Sequence, residues 1–115
     1  MSIASLQADA FYRELAKTQS VWTIRGADGF PTSTNGSGET AMPFWSTENR
    51  ARAVIDKVEA YAGFSPHRLE LEEFRSRWLP GLDRDGLFVG LNWSGERAVG
   101  FDVKPSEVLV RLKSL

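Results

Sequence analysis

The stretch Ala41-Met42-Pro43-Phe44-Trp45-Ser46-Thr47-Glu48 runs from apolar and aromatic residues through two hydroxyl residues to a carboxylate. Its apolar part predicts a strand. Ser46 or Thr47 then suits the cap of a helix, because a hydroxyl oxygen accepts a hydrogen bond from a free backbone N–H of the first turn. Glu48 suits the positive end of that helix dipole. We therefore expect a strand that leads directly into a helix, with Phe44 in the core.

The residues before this junction predict a second strand at 21–25, which is rich in β-branched and aromatic side chains. We expect it to pair with residues 40–45 as a loose hairpin. Pro43 lacks a backbone N–H, so it belongs at an edge, a bulge or the strand's end. The polar residues 26–39 between the two strands form a loop of uncommon length. Such loops are functional or flexible, and the length favours the flexible interpretation.

Apolar residues at helical spacing predict four helices. The first covers residues 3–17, and the second begins at the junction and continues through Ala62, before the helix breaker Gly63. The third covers residues 71–79 and is interrupted by Pro80-Gly81, and the fourth opens at Lys104-Pro105. A short strand is expected at residues 67–69.

Two strands at residues 87–93 and 98–103 flank a turn and form the clearest hairpin of the sequence. Strict alternation places Trp93 on one face with Leu91, and Val99, Phe101 and Val103 are expected to join them there. Gly90 and Gly100 then lie on the other face, where they form a shallow trough. Either a helix packs into that trough or a ligand occupies it.

These elements predict an α+β fold in a single domain, residues 1–115, with about five mostly antiparallel strands and four helices. A C-terminal β-hairpin followed by a helix closes the chain. The length is sufficient for one hydrophobic core without disulfides or metals.

Composition excludes several functional classes. The chain has no cysteine and a formal net charge of −1, which argues against thiolate metal sites and nucleic-acid binding. No segment has the roughly 20 apolar residues that span a bilayer, and the start lacks a signal peptide pattern. We expect a cytoplasmic protein without cofactors, not bound to a membrane, that is a monomer or a small homo-oligomer.

Catalytic residues are not apparent. His67 is the only histidine, and no serine stands in a nucleophile motif. Asp83-x-Asp85-Gly86 lacks the later ligands of a calcium loop, and the carboxylates alternate with arginines as on a solvated helix face. The sequence therefore predicts no catalytic residue and no metal ligand, and an enzyme is the less favoured alternative.

A binding patch is the most specific functional hypothesis. Core packing is the default interpretation of the four tryptophans, but tryptophan and arginine are also enriched at interface hot spots. If the two loops that carry Trp45 and Trp93 meet, we expect one surface for a protein partner. Its candidate residues are Trp45, Arg50, Asn92, Trp93, Ser94, Arg97 and Arg25.

Two alternatives remain open. A small-ligand-binding protein or enzyme would use the Gly90/Gly100 face, with Asn92, Arg97 and Asp102 as its polar groups. A homodimer would instead form through an edge strand near Pro43.

Four blocks of the chain, in the same order, resemble a bacterial family known as domain of unknown function 2750, and the similarity runs from about residue 11 to residue 112. The blocks are Val21-Trp22-Thr23-Ile24-Arg25, Met42-Pro43-Phe44-Trp45-Ser46, Trp78-Leu79-Pro80-Gly81-Leu82 and Gly90-Leu91-Asn92-Trp93-Ser94-Gly95. The junction is also more distantly similar to enhanced-serine-sensitivity-type proteins. These resemblances imply a small cytoplasmic bacterial α+β domain, of immunity or regulatory type, and supply no catalytic residues.

Overall fold

A computed structural model describes residues 2–115. Its helices are α1 (Ile3–Thr18), α2 (Glu48–Lys57), α3 (71–84) and α4 (Pro105–Leu112). Its strands are β1 (Ser20–Arg25), β2 (Ser33–Thr34), β3 (Thr40–Phe44), β4 (Ser65–Glu70), β5 (Phe88–Ser94) and β6 (Val99–Val103). The expected α+β class and the C-terminal hairpin followed by a helix are confirmed. The structure has one strand more than expected. The additional strand is β2, which is only two residues long and therefore leaves no periodic pattern in the sequence.

The strands form two sheets. β1 and β4 pair antiparallel, and the other four strands are ordered β2-β3-β5-β6. β3 and β5 are parallel, whereas β2–β3 and β5–β6 are antiparallel. One apolar cluster forms around α1, α3 and α4, and a second around α2. Because β6 stands last in the strand order, it has a neighbouring strand on one side only.

The prediction that residues 21–25 and 40–45 form a hairpin is wrong. β1 pairs with β4 along its whole length, from Ser20↔Glu70 to Arg25↔Ser65. Only Trp22 and Trp45 exchange backbone hydrogen bonds, at 2.8 and 2.7 Å, where β1 crosses the end of β3. Pro43 has no N–H to donate, and its carbonyl accepts a hydrogen bond from the Thr23 hydroxyl at 2.8 Å.

The junction confirms the expected helix cap. Thr47 is the N-cap, since its hydroxyl oxygen accepts a hydrogen bond from the Arg50 N–H at 3.2 Å. α2 ends at Lys57, before the expected end at Ala62, and Glu59–Tyr61 form a separate 3-10 turn. Phe44 and Trp45 are both fully buried, in different apolar clusters. The strand-to-helix connection thus joins the two clusters.

α3 does not stop before Pro80-Gly81 as expected. It begins as an α-helix at Leu71–Glu73, widens to a π-helical turn at Phe74–Trp78 and continues as an α-helix at Leu79–Arg84. The Leu79 N–H donates to the Phe74 carbonyl. A proline ring clashes with the carbonyl four residues earlier in a regular α-helix, and the wider turn relieves that clash.

Residues 26–39 have defined contacts at both ends. The Phe30 ring packs edge-on against His67 and Trp78, with centroid distances of 5.1 and 5.0 Å. The Asn35 amide donates to Glu39 at 3.0 Å and to Asp102 at 2.9 Å, which attaches the loop to β6. The segment therefore packs on the sheet rather than extending away from it.

A β-bulge in β5 corrects the predicted alternation. Leu91 pairs with Phe101, but the next pair is Ser94↔Val99, and Asn92 has a left-handed φ of 48°. The extra residue sends Trp93 to the face of Gly90 and Gly100 instead of the face of Leu91. The Trp93 indole lies directly over both glycines. The Trp93 side chain thus fills the trough, so the trough is neither packed by a helix nor open.

Gly90→Ala tests this packing. A Cβ on Gly90 would lie 2.3 Å from Cε2 of Trp93, so the ring must move. We expect a loss of at least about 2 kcal/mol in the free energy of unfolding, measured by urea titration, since overpacking a filled core costs this order. Gly36→Ala is the matched control, because nothing lies within 4 Å of its added Cβ. Equal midpoints for the two variants would contradict the packing.

Candidate functional site

The loops that carry Trp45 and Trp93 meet, but inside the protein. The Trp45 indole N–H donates to the Trp93 carbonyl at 2.8 Å, and the two residues are 0% and 4% exposed. The Trp93 indole N–H donates to the Asp102 carboxylate at 2.9 Å. The expectation that these rings form a surface is therefore wrong. Both rings belong to the apolar core, and the indole N–H of each donates a hydrogen bond to a partner inside the protein.

Asn92 and Ser46 form a buried polar pair behind the tryptophans. The Asn92 side-chain oxygen accepts from the Ser46 backbone N–H at 3.0 Å, and its amide donates to the Ser46 hydroxyl at 3.0 Å. The same amide donates to the Gln7 carbonyl of α1 at 3.1 Å. Asn92 is 1% and Ser46 0% exposed. This pair joins α1, the β3–α2 junction and the bulge, so its first role is architectural.

The Arg50–Glu14 ion pair lies next to the buried Asn92–Ser46 pair, on the side that is nearer to the surface. Arg50 of α2 makes two hydrogen bonds with the Glu14 carboxylate of α1, at 2.8 and 2.9 Å, and a third with the Gln7 side chain at 2.6 Å. The Ser46 hydroxyl donates to Glu14 at 2.5 Å. The Arg50 hydrogen bonds hold the pKa of Glu14 below its usual value of 4.5; partial burial opposes them, and the Ser46 hydrogen bond reinforces them.

The other predicted binding residues lie in three separate places. Ser94 lines a cavity of about 170 Å³ together with three other candidates, Arg50, Asn92 and Trp93. Arg97 is exposed in a cleft of about 310 Å³ between the β5–β6 turn and residues 33–36. Arg25 lies with its guanidinium 5.6 Å from the centre of the Phe30 ring. Four of the seven candidates thus border one cavity, Arg97 lies in a second cleft that Trp93 also borders, and Arg25 lies apart.

A wide groove lies elsewhere on the protein. It has a volume of about 410 Å³ and is formed by α1, β6 and α4. Its apolar walls include Leu91, Phe101, Val103 and Val110. The Phe101 and Val110 side chains are 43% and 63% exposed, and Val99 at the start of β6 is 63% exposed. An apolar groove beside a strand that ends a sheet is typical of an interaction surface.

Sequence reasoning missed this groove because Val99, Phe101 and Val103 were expected to join the core with Leu91. The alternation of apolar and other residues in β6 was visible in the sequence. A strand at the end of a sheet keeps this alternation, but no further strand lies beside it. Alternation alone does not distinguish a central strand from an edge strand.

Residues 2–115 contain no group of three or more His, Cys, Asp or Glu side chains close enough to hold a metal ion. Within the same residues, no helix has the length and apolar character that crossing a bilayer requires.

One protein-family model, described as "Protein of unknown function (DUF2750)", matches residues 8–112. The match covers nearly the whole chain and confirms the first resemblance, whereas the similarity to enhanced-serine-sensitivity-type proteins stays a prediction. No curated protein matches the chain. The comparisons therefore establish the family and leave the activity to be argued from the molecule.

The Glu14–Arg50 pair predicts a pH-dependent contribution to stability. The folded state lowers the pKa of Glu14, so the stabilisation is complete above pH 4.5 and is lost as pH falls through the folded pKa. The difference in unfolding free energy between the native chain and Glu14→Gln should therefore be largest at neutral pH and shrink below pH 4.5. Urea titrations from pH 3 to pH 7 measure it.

Glu96→Gln is the control, since this carboxylate is exposed in the β5–β6 turn. Its stability should follow that of the native chain across the range. A constant offset between Glu14→Gln and the native chain at every pH would show that the ion pair is not responsible.

Proposed function

We propose that this chain, which belongs to the family of proteins of unknown function DUF2750, is a non-catalytic binding module that recognises a protein through β6. The observation that carries the proposal is the free edge of β6, whose apolar side chains at Val99 and Phe101 are exposed. A regulatory or immunity-type role is consistent with such a module.

The edge of β6 carries one charged residue and neither lysine nor proline within the strand. Natural proteins cover edge strands or place lysine, proline or an inward-pointing charge on them. β6 reads Val99-Gly100-Phe101-Asp102-Val103, and its only charged residue, Asp102, accepts hydrogen bonds from Trp93 and Asn35 on the opposite face from Phe101. Free backbone groups beside apolar side chains favour the addition of an extended partner segment as a further strand.

The groove next to β6 supports the same proposal. An added strand points alternate side chains to the side of α1 and α4, where Leu91, Phe101 and Val103 offer apolar contact. Asp9, Glu107 and Arg111 lie around it and supply both signs of charge. Backbone pairing then supplies affinity, and the groove supplies specificity.

A second candidate function is the binding of a small anionic ligand in the cleft beside Arg97. The exposed Arg97 guanidinium shares this cleft with the Asn35 and Asp102 side chains. This cleft replaces the Gly90/Gly100 trough of the sequence-based alternative, since Trp93 fills that trough.

For this candidate, an anionic metabolite should raise the melting temperature of the native chain but not that of Arg97→Ala, because only the folded state binds it. A thermal-shift screen measures this. Arg52→Ala, an exposed arginine on α2, is the control and should respond as the native chain does. Equal shifts in all three proteins would exclude the cleft.

For the interaction module, Phe101→Glu is expected to reduce partner binding by at least about tenfold, or ~1.4 kcal/mol, because it places a carboxylate in the apolar contact. Tagged full-length chains are used to capture proteins from lysate of the native cell, followed by quantitative mass spectrometry. Phe101 is exposed, so we expect the circular dichroism melting curve to change little.

Leu115→Glu is the matched control. Leu115 is 49% exposed, close to the 43% of Phe101, and borders a different depression beside α3. Its captured proteins should equal those of the native chain. An unchanged set of captured proteins for Phe101→Glu would refute the proposed surface.

A further inference from the structure

We infer that the partner at the β6 edge is β6 of a second copy of this chain, paired antiparallel about a two-fold axis at Phe101. The inference rests on the proposed function and names its partner. It concerns β6, not the region near Pro43, because Pro43 is buried and its carbonyl already accepts a hydrogen bond from the Thr23 hydroxyl.

The sequence of β6 is self-complementary. Val99-Gly100-Phe101-Asp102-Val103 has the same apolar pattern in both directions. In an antiparallel pair centred on Phe101, each Val99 faces the other copy's Val103, and the two Phe101 side chains face each other. All apolar side chains of β6 therefore meet apolar partners on one face, which is the arrangement an isologous interface needs.

Other registers fit less well. A shift of one residue would pair the apolar residues of one copy with Gly100 and Asp102 of the other. Within each strand, Gly100 and Asp102 point to the opposite face from the apolar residues, so the apolar side chains of the two copies would not meet. A shift that moves the axis to Gly100 or Asp102 leaves three of the five strand residues overlapping. The register at Phe101 also sets each Asp102 opposite a glycine, so the two carboxylates do not face each other.

The proposed symmetry also fixes where the helices beside the strand would lie. A two-fold axis perpendicular to the sheet keeps α1 and α4 of both copies on the same side. The two grooves then lie next to each other, with both Phe101 rings between them. The four-stranded sheet becomes one of eight strands, and neither copy keeps a free β6 edge.

The geometry permits a covalent test. Residues directly opposite in an antiparallel pair have Cα atoms about 4.5 or 5.5 Å apart, and a disulfide spans about 4.4 to 6.8 Å. Residues four positions apart along a strand are separated by roughly 13 Å and are not bridged. The chain has no cysteine, so each introduced cysteine is the only thiol present.

The experiment uses full-length Phe101→Cys, Val99→Cys and Val103→Cys chains, oxidised with copper phenanthroline and separated on non-reducing gels. Phe101→Cys alone should form a disulfide dimer. Val99→Cys alone and Val103→Cys alone should not, whereas an equal mixture of the two should. Sizing chromatography with light scattering should give twice the chain mass for the native protein and the chain mass for Phe101→Glu.

Each other result overturns the inference. A native monomer without cross-links, combined with loss of captured proteins in Phe101→Glu, would mean that the edge binds a different protein and that the proposed function stands. Efficient cross-linking of Val99→Cys alone, or a dimer that persists in Phe101→Glu, would place the contact in another register or on another surface. No dimer and no change in captured proteins would refute both proposals.

Discussion

The left-handed backbone at Asn92 is the constraint on which the rest of the structure depends. This residue adds one position to β5 and so sends Trp93 across the sheet, where its indole covers Gly90 and Gly100. The displaced Trp93 carbonyl accepts the Trp45 indole N–H, and the Asn92 side chain fixes Ser46 at the start of α2. Asparagine suits the position for two reasons: it tolerates the left-handed region, and it carries a donor and an acceptor.

Most elements of the fold could be predicted from the sequence, because helical and strand periodicity are local properties. The four helices, the C-terminal hairpin and the Thr47 cap required no long-range information. The pairing of β1 with β4 did require it, since the choice between Leu69 and Phe44 as a neighbour depends on the whole core. The π-helical turn before Pro80 and the bulge at Asn92 were also missed, because each resolves a conflict between packing and a regular repeat.

The predicted binding residues show why composition alone does not locate a site. Tryptophan, arginine and asparagine are enriched at interfaces, but the same side chains complete a core when their polar atoms find internal partners. Here the Trp45 and Trp93 indoles, the Asn92 amide and the Arg50 guanidinium all have such partners. The sequence left open whether the Trp45 and Trp93 loops meet, and the burial of both rings was not anticipated. Exposure depends on which strand ends the sheet, and that is a property of topology.

The bulge links this interior to the surface. In a regular β5–β6 ladder that continued from Leu91↔Phe101, the next residue on the same face would pair Trp93 with Val99. The indole would then lie beside Val99 on the side of α1 and cover it. Because Asn92 moves Trp93 to the other face, Ser94 pairs with Val99 instead, and Val99 keeps 63% of its surface exposed. The same residue that satisfies the core therefore leaves the apolar edge of β6 without cover, which places the interaction surface on the strand that the bulge has uncovered.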